Sequence, residues 1–254
     1  IGIVGCGNIG GRLARRLPSL DVSVRLNDPP RQEKETRSPF NRDFEPLGRV
    51  LEESNVVTLH TPLTTGGAHP THHLVDEDAL QRMQPGAWIL NTSRGPVVDN
   101  NALREALQDG HVEAAVLDVW EGEPTPDPAL LRQVDVATPH IAGYAIDGKV
   151  RGTKMLYDAL CDHLGVEKTW DPAPLLAPDH PDALRCSPPD ARLPQTDYLH
   201  ALARQAYDLA ADDRRMRDLL DQPSAERGAH FSRLRKTYPT RREFQQFSLP
   251  ASAV

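Results

Sequence analysis

The sequence predicts an α/β fold, a doubly wound parallel sheet followed by a small C-terminal helical domain. Three observations carry this. Short apolar runs recur between helix-patterned stretches: Ile1-Gly2-Ile3-Val4, Val56-Val57-Thr58-Leu59, Ala87-Trp88-Ile89-Leu90, Ala114 to Val119 and Val134 to Ala137. Continuous apolar strands that alternate with helices indicate a parallel sheet covered on both faces. The first run ends in Gly5-Cys6-Gly7-Asn8-Ile9-Gly10, a glycine-rich turn between strand and helix of the Rossmann type. Beyond residue 170 the composition changes, and prolines at 172, 174, 178, 181, 188, 189 and 194 oppose regular structure.

Each element has a local reason. Gly5 supplies the tight turn, Gly7 lets the backbone approach a pyrophosphate, and Gly10 lets the next helix pack on the strand. That helix is expected to begin near Asn8, to turn its free N–H groups toward phosphates, and to end at Pro18. Val22 to Leu26 reads as a second strand, ending at Asn27-Asp28. An acidic residue about 20 positions after the glycines holds the adenosine ribose hydroxyls. Asp28 would repel a 2′-phosphate, so NAD is favoured over NADP, although Arg31 keeps NADP open. Asp28 equally suits a cap before Pro29-Pro30. Residues 29–48, polar and Pro-rich, read as a surface connection, and the strand Val56 to Leu59 ends at His60-Thr61-Pro62. Asp76 and Asp99 are expected to cap helices over 76–83 and up to Gln108. A longer helix is expected over 146–164. After a linker, Leu199, Leu202, Ala206 and Leu209 predict a helix over 196–221, with another over 224–236. Two such helices cannot form a stable core alone, so they dock on the sheet domain or on another subunit. The expected organisation is a cofactor domain over 1–145, the long helix and its return over 146–170, a linker over 171–194 and a C-terminal domain over 195–254.

Bulk properties narrow the function. A formal charge of −7 over 254 residues leaves no basic footprint for nucleic acid. No run of apolar residues is long enough to span a membrane and no signal-peptide pattern is present, so no membrane partner and a cytoplasmic location are expected. The three cysteines, Cys6, Cys161 and Cys186, are odd in number and far apart, which suggests neither disulfides nor zinc. The stretch His69-Pro70-Thr71-His72-His73 is rich in imidazoles. No carboxylate or thiol stands at ligand spacing beside it, so no metal is expected.

Three loops after predicted strand ends carry the chemistry: Asn91-Thr92-Ser93-Arg94-Gly95, Asp118-Val119-Trp120-Glu121-Gly122-Glu123-Pro124, and Thr138-Pro139-His140-Ile141-Ala142-Gly143-Tyr144. They offer a guanidinium, a carboxylate and an imidazole. Oxidation of a 2-hydroxy acid needs these three. Arg binds the substrate carboxylate, His takes the hydroxyl proton, and Glu orients the imidazole.

These motifs, with the glycine turn, resemble the D-isomer-specific 2-hydroxyacid dehydrogenase family. The resemblance assigns Arg94, Glu123 and His140 as the catalytic set. It places Gly5, Gly7, Asn8, Ile9, Gly10, Asp28, Thr61, Thr92, Ser93, Asp118 and Gly143 at the NAD cofactor and Tyr144 at the substrate. Asp28-Pro29-Pro30-Arg31, Trp120-Glu121-Gly122 and Tyr238 to Glu243 bring the likeness closest to a member that oxidises a small phosphorylated 2-hydroxy acid on the way to pyridoxal 5′-phosphate. That member is a homodimer through its C-terminal helices, which is the partner expected here. A phosphate needs cations, and Arg214, Arg215 and Arg217 offer them. Family members acting on phosphoglycerate or glyoxylate, and a non-catalytic NAD-sensing module, share the same triad and stay open as alternatives. In the family a substrate-binding segment precedes the glycine turn, whereas this sequence opens on it. The chain is therefore expected to start inside a longer parent, to hold NAD weakly and to turn over little by itself.

Overall fold

The computed structural model describes residues 1–34, 39–40, 42–177 and 185–248. The strands are β1 (Gly2–Val4), β2 (Arg25–Asn27), β3 (Val56–Leu59), β4 (Ala87–Asn91), β5 (Val112–Leu117) and β6 (Val136–Ala137). The helices are α1 (Gly10–Arg16), α2 (Pro29–Lys34), α3 (Leu47–Glu52), α4 (Glu77–Gln81), α5 (Asn100–Gln108), α6 (Pro128–Gln133), α7 (Ile146–Leu164), α8 (Ala173–Leu176), α9 (Gln195–Ala206), α10 (Leu209–Arg217) and α11 (Arg227–Lys236). The chain divides into two compact units, Ile1–His140 with Asp212–Lys236, and Ile141–Ala211 with Thr237–Val254. Parts of two expected connections, 35–38 with 41 and 178–184, lie outside the described residues, as does 249–254.

The first unit holds a parallel six-stranded sheet in the order β2-β1-β3-β4-β5-β6. The order reverses at β1, which has β2 on one side and β3 on the other. Doubly wound sheets bind dinucleotides in the crevice beyond the strand carboxyl ends at such a point. The register sets Val4 level with Asn27 and Leu59, and Asn91 level with Leu59 and Leu117. The glycine turn and the three chemical loops therefore leave from one edge. Ile3, Leu26, Val57, Leu59, Ile89, Ala115 and Leu117 are fully buried, as strands covered on both faces require. Asp76 caps α4, its Oδ1 accepting from the Ala79 N–H at 3.0 Å. Asp99 Oδ1 caps α5, accepting from Asn101 and Ala102 at 2.9 and 3.1 Å. Both caps follow the sequence expectation.

Residues 212–236 return to this unit. Met216, Leu219 and Phe231 are fully buried in one cluster with Leu117, Trp120 and Leu130. β6 is an edge strand, and its Ala137 N–H donates to Asp213 Oδ1 at 2.8 Å. Arg217 donates to the carbonyls of Leu131, Val134 and Asp135 at 3.0, 2.8 and 3.2 Å, and to Asp213 Oδ2 at 2.9 Å. It thus satisfies the orphan carbonyls at the end of α6. The single helix expected over 196–221 is broken. Tyr207 is extended at φ −151°, and Asp208 Oδ1 accepts from Ala211 N at 3.0 Å to start α10. No glycine or proline marks that break, so the apolar spacing runs through it.

In the second unit α7 runs for 19 residues and stops at Gly165, whose φ of 65° is the left-handed cap. At its start Asp147 is buried to 1% exposure against Arg242 at 11%. Arg242 Nε donates to both carboxylate oxygens at 3.1 and 3.0 Å, Nη2 donates at 2.9 Å, and the Glu243 N–H adds a bond at 2.9 Å. Burial opposes the charge of Asp147. The bonds from Arg242 and Glu243 outweigh it and hold the carboxyl below its usual range.

Two outcomes follow from these groups. Asp147→Asn leaves the Arg242 charge uncompensated and should destabilise the second unit by about 3–5 kcal/mol. The depressed acid contributes stability above the ordinary carboxylate pKa and loses it as pH falls through the lowered value. Urea melts should therefore show the wild-type advantage at about pH 7, and that advantage should shrink as the pH falls below the ordinary carboxylate range. In the first unit His60, just beyond β3, has its pKa pushed down from 6.5 to about 4 by burial. Its neutral form is favoured in the fold, so stability should fall as pH drops from 6.5 toward about 4. His60→Gln should flatten that stretch of the pH–Tm curve.

Candidate active site

The glycine turn is built by close backbone approach. Gly5 has φ +87°, and a Cβ there would lie 2.7 Å from the His60 carbonyl oxygen. A Cβ on Gly10 would overlap the Gly5 carbonyl. Gly7, by contrast, faces open space, and a Cβ there would meet nothing within 4 Å among the described residues. Asn8 and Ile9 are exposed beside it, Ile9 to 59%. Asp28, at the end of β2, reaches back to the turn, its Oδ2 accepting from the Cys6 N–H at 2.8 Å. Its Oδ1 accepts from Arg31 N at 3.1 Å, so it also caps α2. Gly7, Asn8, Arg12, Arg15 and Arg31 line an open cavity of about 380 Å³ above the turn. Thr61 Oγ1 is buried and has no hydrogen-bond partner among the described residues. The exposed Gly7, the cavity and the unpartnered hydroxyl fit a dinucleotide pyrophosphate and ribose.

Three adjacent strands deliver the chemical groups. Beyond β4, buried Asn91 organises its loop: Oδ1 accepts from the Ser93 N–H and Oγ at 3.0 and 2.8 Å, and Nδ2 donates to the Arg94 carbonyl at 2.9 Å. Ser93 is buried, Thr92 and Arg94 are exposed, and Arg94 Nη1 donates to the Ser93 carbonyl at 2.6 Å. Gly95 lies so close to Trp120 that a Cβ would overlap the Trp120 carbonyl. The Arg94 loop is therefore docked directly on the loop beyond β5. There Asp118 is buried, and its Oδ1 accepts from Thr138 Oγ1 at 2.6 Å.

Glu123 and His140 form the paired core of the site. His140 Nδ1 is 2.8 Å from Glu123 Oε2, and the Trp120 N–H donates to Glu123 Oε1 at 2.9 Å. Both carboxylate oxygens are thus engaged. Burial works against the charge of Glu123. The bonds from His140 and Trp120, with the charges of His140 and Arg235 behind them, hold its carboxyl below the usual range. The His140 N–H donates to the Asp118 carbonyl at 2.6 Å, and His140 sits at φ +57°, a left-handed conformation that costs a β-carbon residue energy. Glu123 fixes the Nδ1 side of the ring.

The first unit thus brings together Arg94, Glu123, His140, Ser93 and Asp118 on adjoining loops, and Gly5, Gly7, Gly10, Asp28 and Thr61 at the turn. Gly143 and Tyr144 belong to the second unit, where Tyr144 packs edge-on against Tyr238 with ring centroids 5.8 Å apart. Arg217 is committed to carbonyls at the end of α6, and Arg215 pairs with Asp212 at 2.6 Å, so these two are structural ties. Sequence reasoning missed Asn91, the Trp120 N–H and Arg235. The polar Asn91 closing an apolar strand was the one available signal; the other two depend on folding.

Residues 1–142 match the NAD binding domain of the D-isomer specific 2-hydroxyacid dehydrogenases, and residues 190–253 match a domain of unknown function, DUF3410. The chain is 56% identical to erythronate-4-phosphate dehydrogenase of Salinibacter ruber, over all of this chain and 65% of that protein. Among solved structures, the NAD-complexed D-isomer specific 2-hydroxyacid dehydrogenase of Lactobacillus delbrueckii has a TM-score of 0.56 at 28% identity, over 66% of this chain and 54% of that one. The D-lactate dehydrogenase of Aquifex aeolicus, complexed with NAD and lactic acid, has a TM-score of 0.53 at 28% identity, over 65% and 53%. The chain spans less than two thirds of the length of the curated relatives it matches. Among the described residues no helix is long and apolar enough to cross a membrane. On the glycine turn, the Glu123–His140 pair and these matches, the chain belongs to the D-isomer-specific 2-hydroxyacid dehydrogenase family, with NAD as the cofactor of its sheet domain.

Proposed function

We propose that the chain carries the cofactor half and the catalytic triad of an enzyme oxidising 4-phospho-D-erythronate at C2. The observation that supports this most directly is the His140–Glu123 pair at 2.8 Å, docked beside the Arg94 loop. The high identity to a named erythronate-4-phosphate dehydrogenase supports the substrate. Arg94 binds the substrate carboxylate with its guanidinium and orients C2. His140 Nε2 takes the C2 hydroxyl proton as the alcohol becomes a ketone, and returns it in the reverse direction. Glu123 stabilises the imidazolium formed and keeps the ring in its working tautomer. NAD, when bound, supplies the hydride acceptor. Gly5, Gly7, Asn8, Ile9 and Gly10 cradle its pyrophosphate, and Asp28 and Thr61 meet the adenosine ribose side. Thr92, Ser93 and Asp118 face its nicotinamide half.

The same reading includes a cytoplasmic homodimer formed through the C-terminal helices. Among the described residues α9 buries none of its own side chains despite an amphipathic pattern, which supports a partner on that helix.

Two measurements test the reading. Gly7→Val should leave Tm unchanged, because the added side chain enters open space, yet weaken NADH binding to this chain by roughly tenfold or more in a fluorescence titration. Unchanged affinity would move the pyrophosphate elsewhere. Turnover is compared in this chain joined to the part of the Salinibacter ruber relative that it does not span. Glu123→Gln keeps the size of the side chain but loses the charge and one of its two accepting oxygens, and should lower kcat by roughly 10²-fold with little change in KM. Faster turnover of 3-phosphoglycerate than of 4-phosphoerythronate would assign a sibling substrate.

A further inference from the structure

We propose that His72, His73 and Glu121 form a binding site for one divalent ion of the zinc class, distinct from the hydride-transfer residues and independent of the substrate assigned above. The imidazole-rich stretch itself, residues 69–73, contains no carboxylate. Folding supplies one, because the loop beyond β5 comes to lie against the loop before α4. His73 Nε2 is 2.7 Å from Glu121 Oε1, and candidate ligand atoms of all three residues lie within 4.8 Å of one another. A tetrahedral zinc with bonds near 2.0–2.2 Å sets its donors roughly 3.3 Å apart. Small side-chain rotations reach that spacing.

Consecutive side chains normally diverge. Here His73 adopts φ +49°, and its ring stacks on that of His72 with centroids 4.1 Å apart. A strained backbone that brings two imidazoles to one carboxylate is the type of outlier found at ligand clamps. The supporting residues are also in place. Asp99 Oδ2 lies 3.5 Å from His73 Nδ1, on the far side of the ring from Glu121. A carboxylate behind a ligating imidazole orients the ring and raises its basicity. Glu121 Oε2 accepts from the Asn100 N–H at 2.9 Å, which fixes the second ligand and leaves Oε1 toward the imidazoles. Two imidazoles and one carboxylate suit zinc, nickel or cobalt rather than calcium or magnesium. His72 is exposed, so an ion can enter from solvent and keep water in its remaining positions.

Such an ion would join two loops of the catalytic edge. The His73 N–H already donates to the Pro96 carbonyl at 2.7 Å, two residues beyond Arg94, and Glu121 lies two residues before Glu123. The test uses the whole chain, stripped with a chelator and titrated calorimetrically with zinc chloride. Cobalt uptake followed by visible absorption gives the geometry. One ion per chain is expected. Affinity should fall at least about tenfold in His72→Ala, whose exposed ring the fold can lose, and in Glu121→Gln, while His69→Ala in the same loop leaves it unchanged. No stoichiometric uptake overturns the proposal. So does uptake that persists in His72→Ala, which would assign the metal to a thiol, and so does an equal loss in His69→Ala.

Discussion

The working edge of the sheet is assembled by backbone contacts that leave no room for a β-carbon. Gly10 lies against the Gly5 carbonyl and Gly95 against the Trp120 carbonyl. The first contact draws α1 onto the end of β1 and leaves Gly7 facing open space. The second draws the Arg94 loop onto the loop that carries Glu123. A β-carbon at either position would overlap a backbone carbonyl oxygen, so one of the two segments would have to move away. The cofactor turn and the catalytic loops thus depend on one kind of constraint at two places, and strand order decides which loops meet there.

On that frame the electrostatics are local. Glu123 receives a hydrogen bond on each oxygen, from His140 and from the Trp120 N–H, so its charge is held despite partial burial. His140 is fixed by its ring and by its own N–H, which reaches the Asp118 carbonyl. In the role of general base proposed for it, a ring held from both ends would need little reorganisation when a proton moves. Arg94 differs, being exposed and bonded to its neighbour's carbonyl, which suits the carboxylate-binding role proposed for it.

Much of this is legible in the sequence because it is local. The glycine turn, the Asp76 and Asp99 caps and the strand-end position of Arg94, Glu123 and His140 all follow from residue type and near-neighbour spacing. What escapes is long-range. The break at Tyr207 has no glycine or proline, and only the Asp208 cap hints at it. By sequence Arg217 offers itself as a cation for a phosphate, because nothing there reveals that the end of α6 lies beside it. By sequence Asp28 suits either a ribose ligand or a cap. Its two oxygens serve the turn and α2 together, a division that spacing alone does not express.

The return of residues 212–236 to the first unit has a consequence for synthesis. The Ala137 N–H on the sheet edge finds its acceptor in Asp213, 76 residues later in the chain. At ordinary ribosomal rates that partner emerges on the order of ten seconds after the strand it covers. During that interval β6 is an open edge and the pocket for Met216 and Phe231 is unfilled. A nascent chain of this protein therefore passes through a stage at which its sheet is complete in strands but open to pairing with a neighbour. Chaperone capture on the ribosome would have its greatest effect in that window.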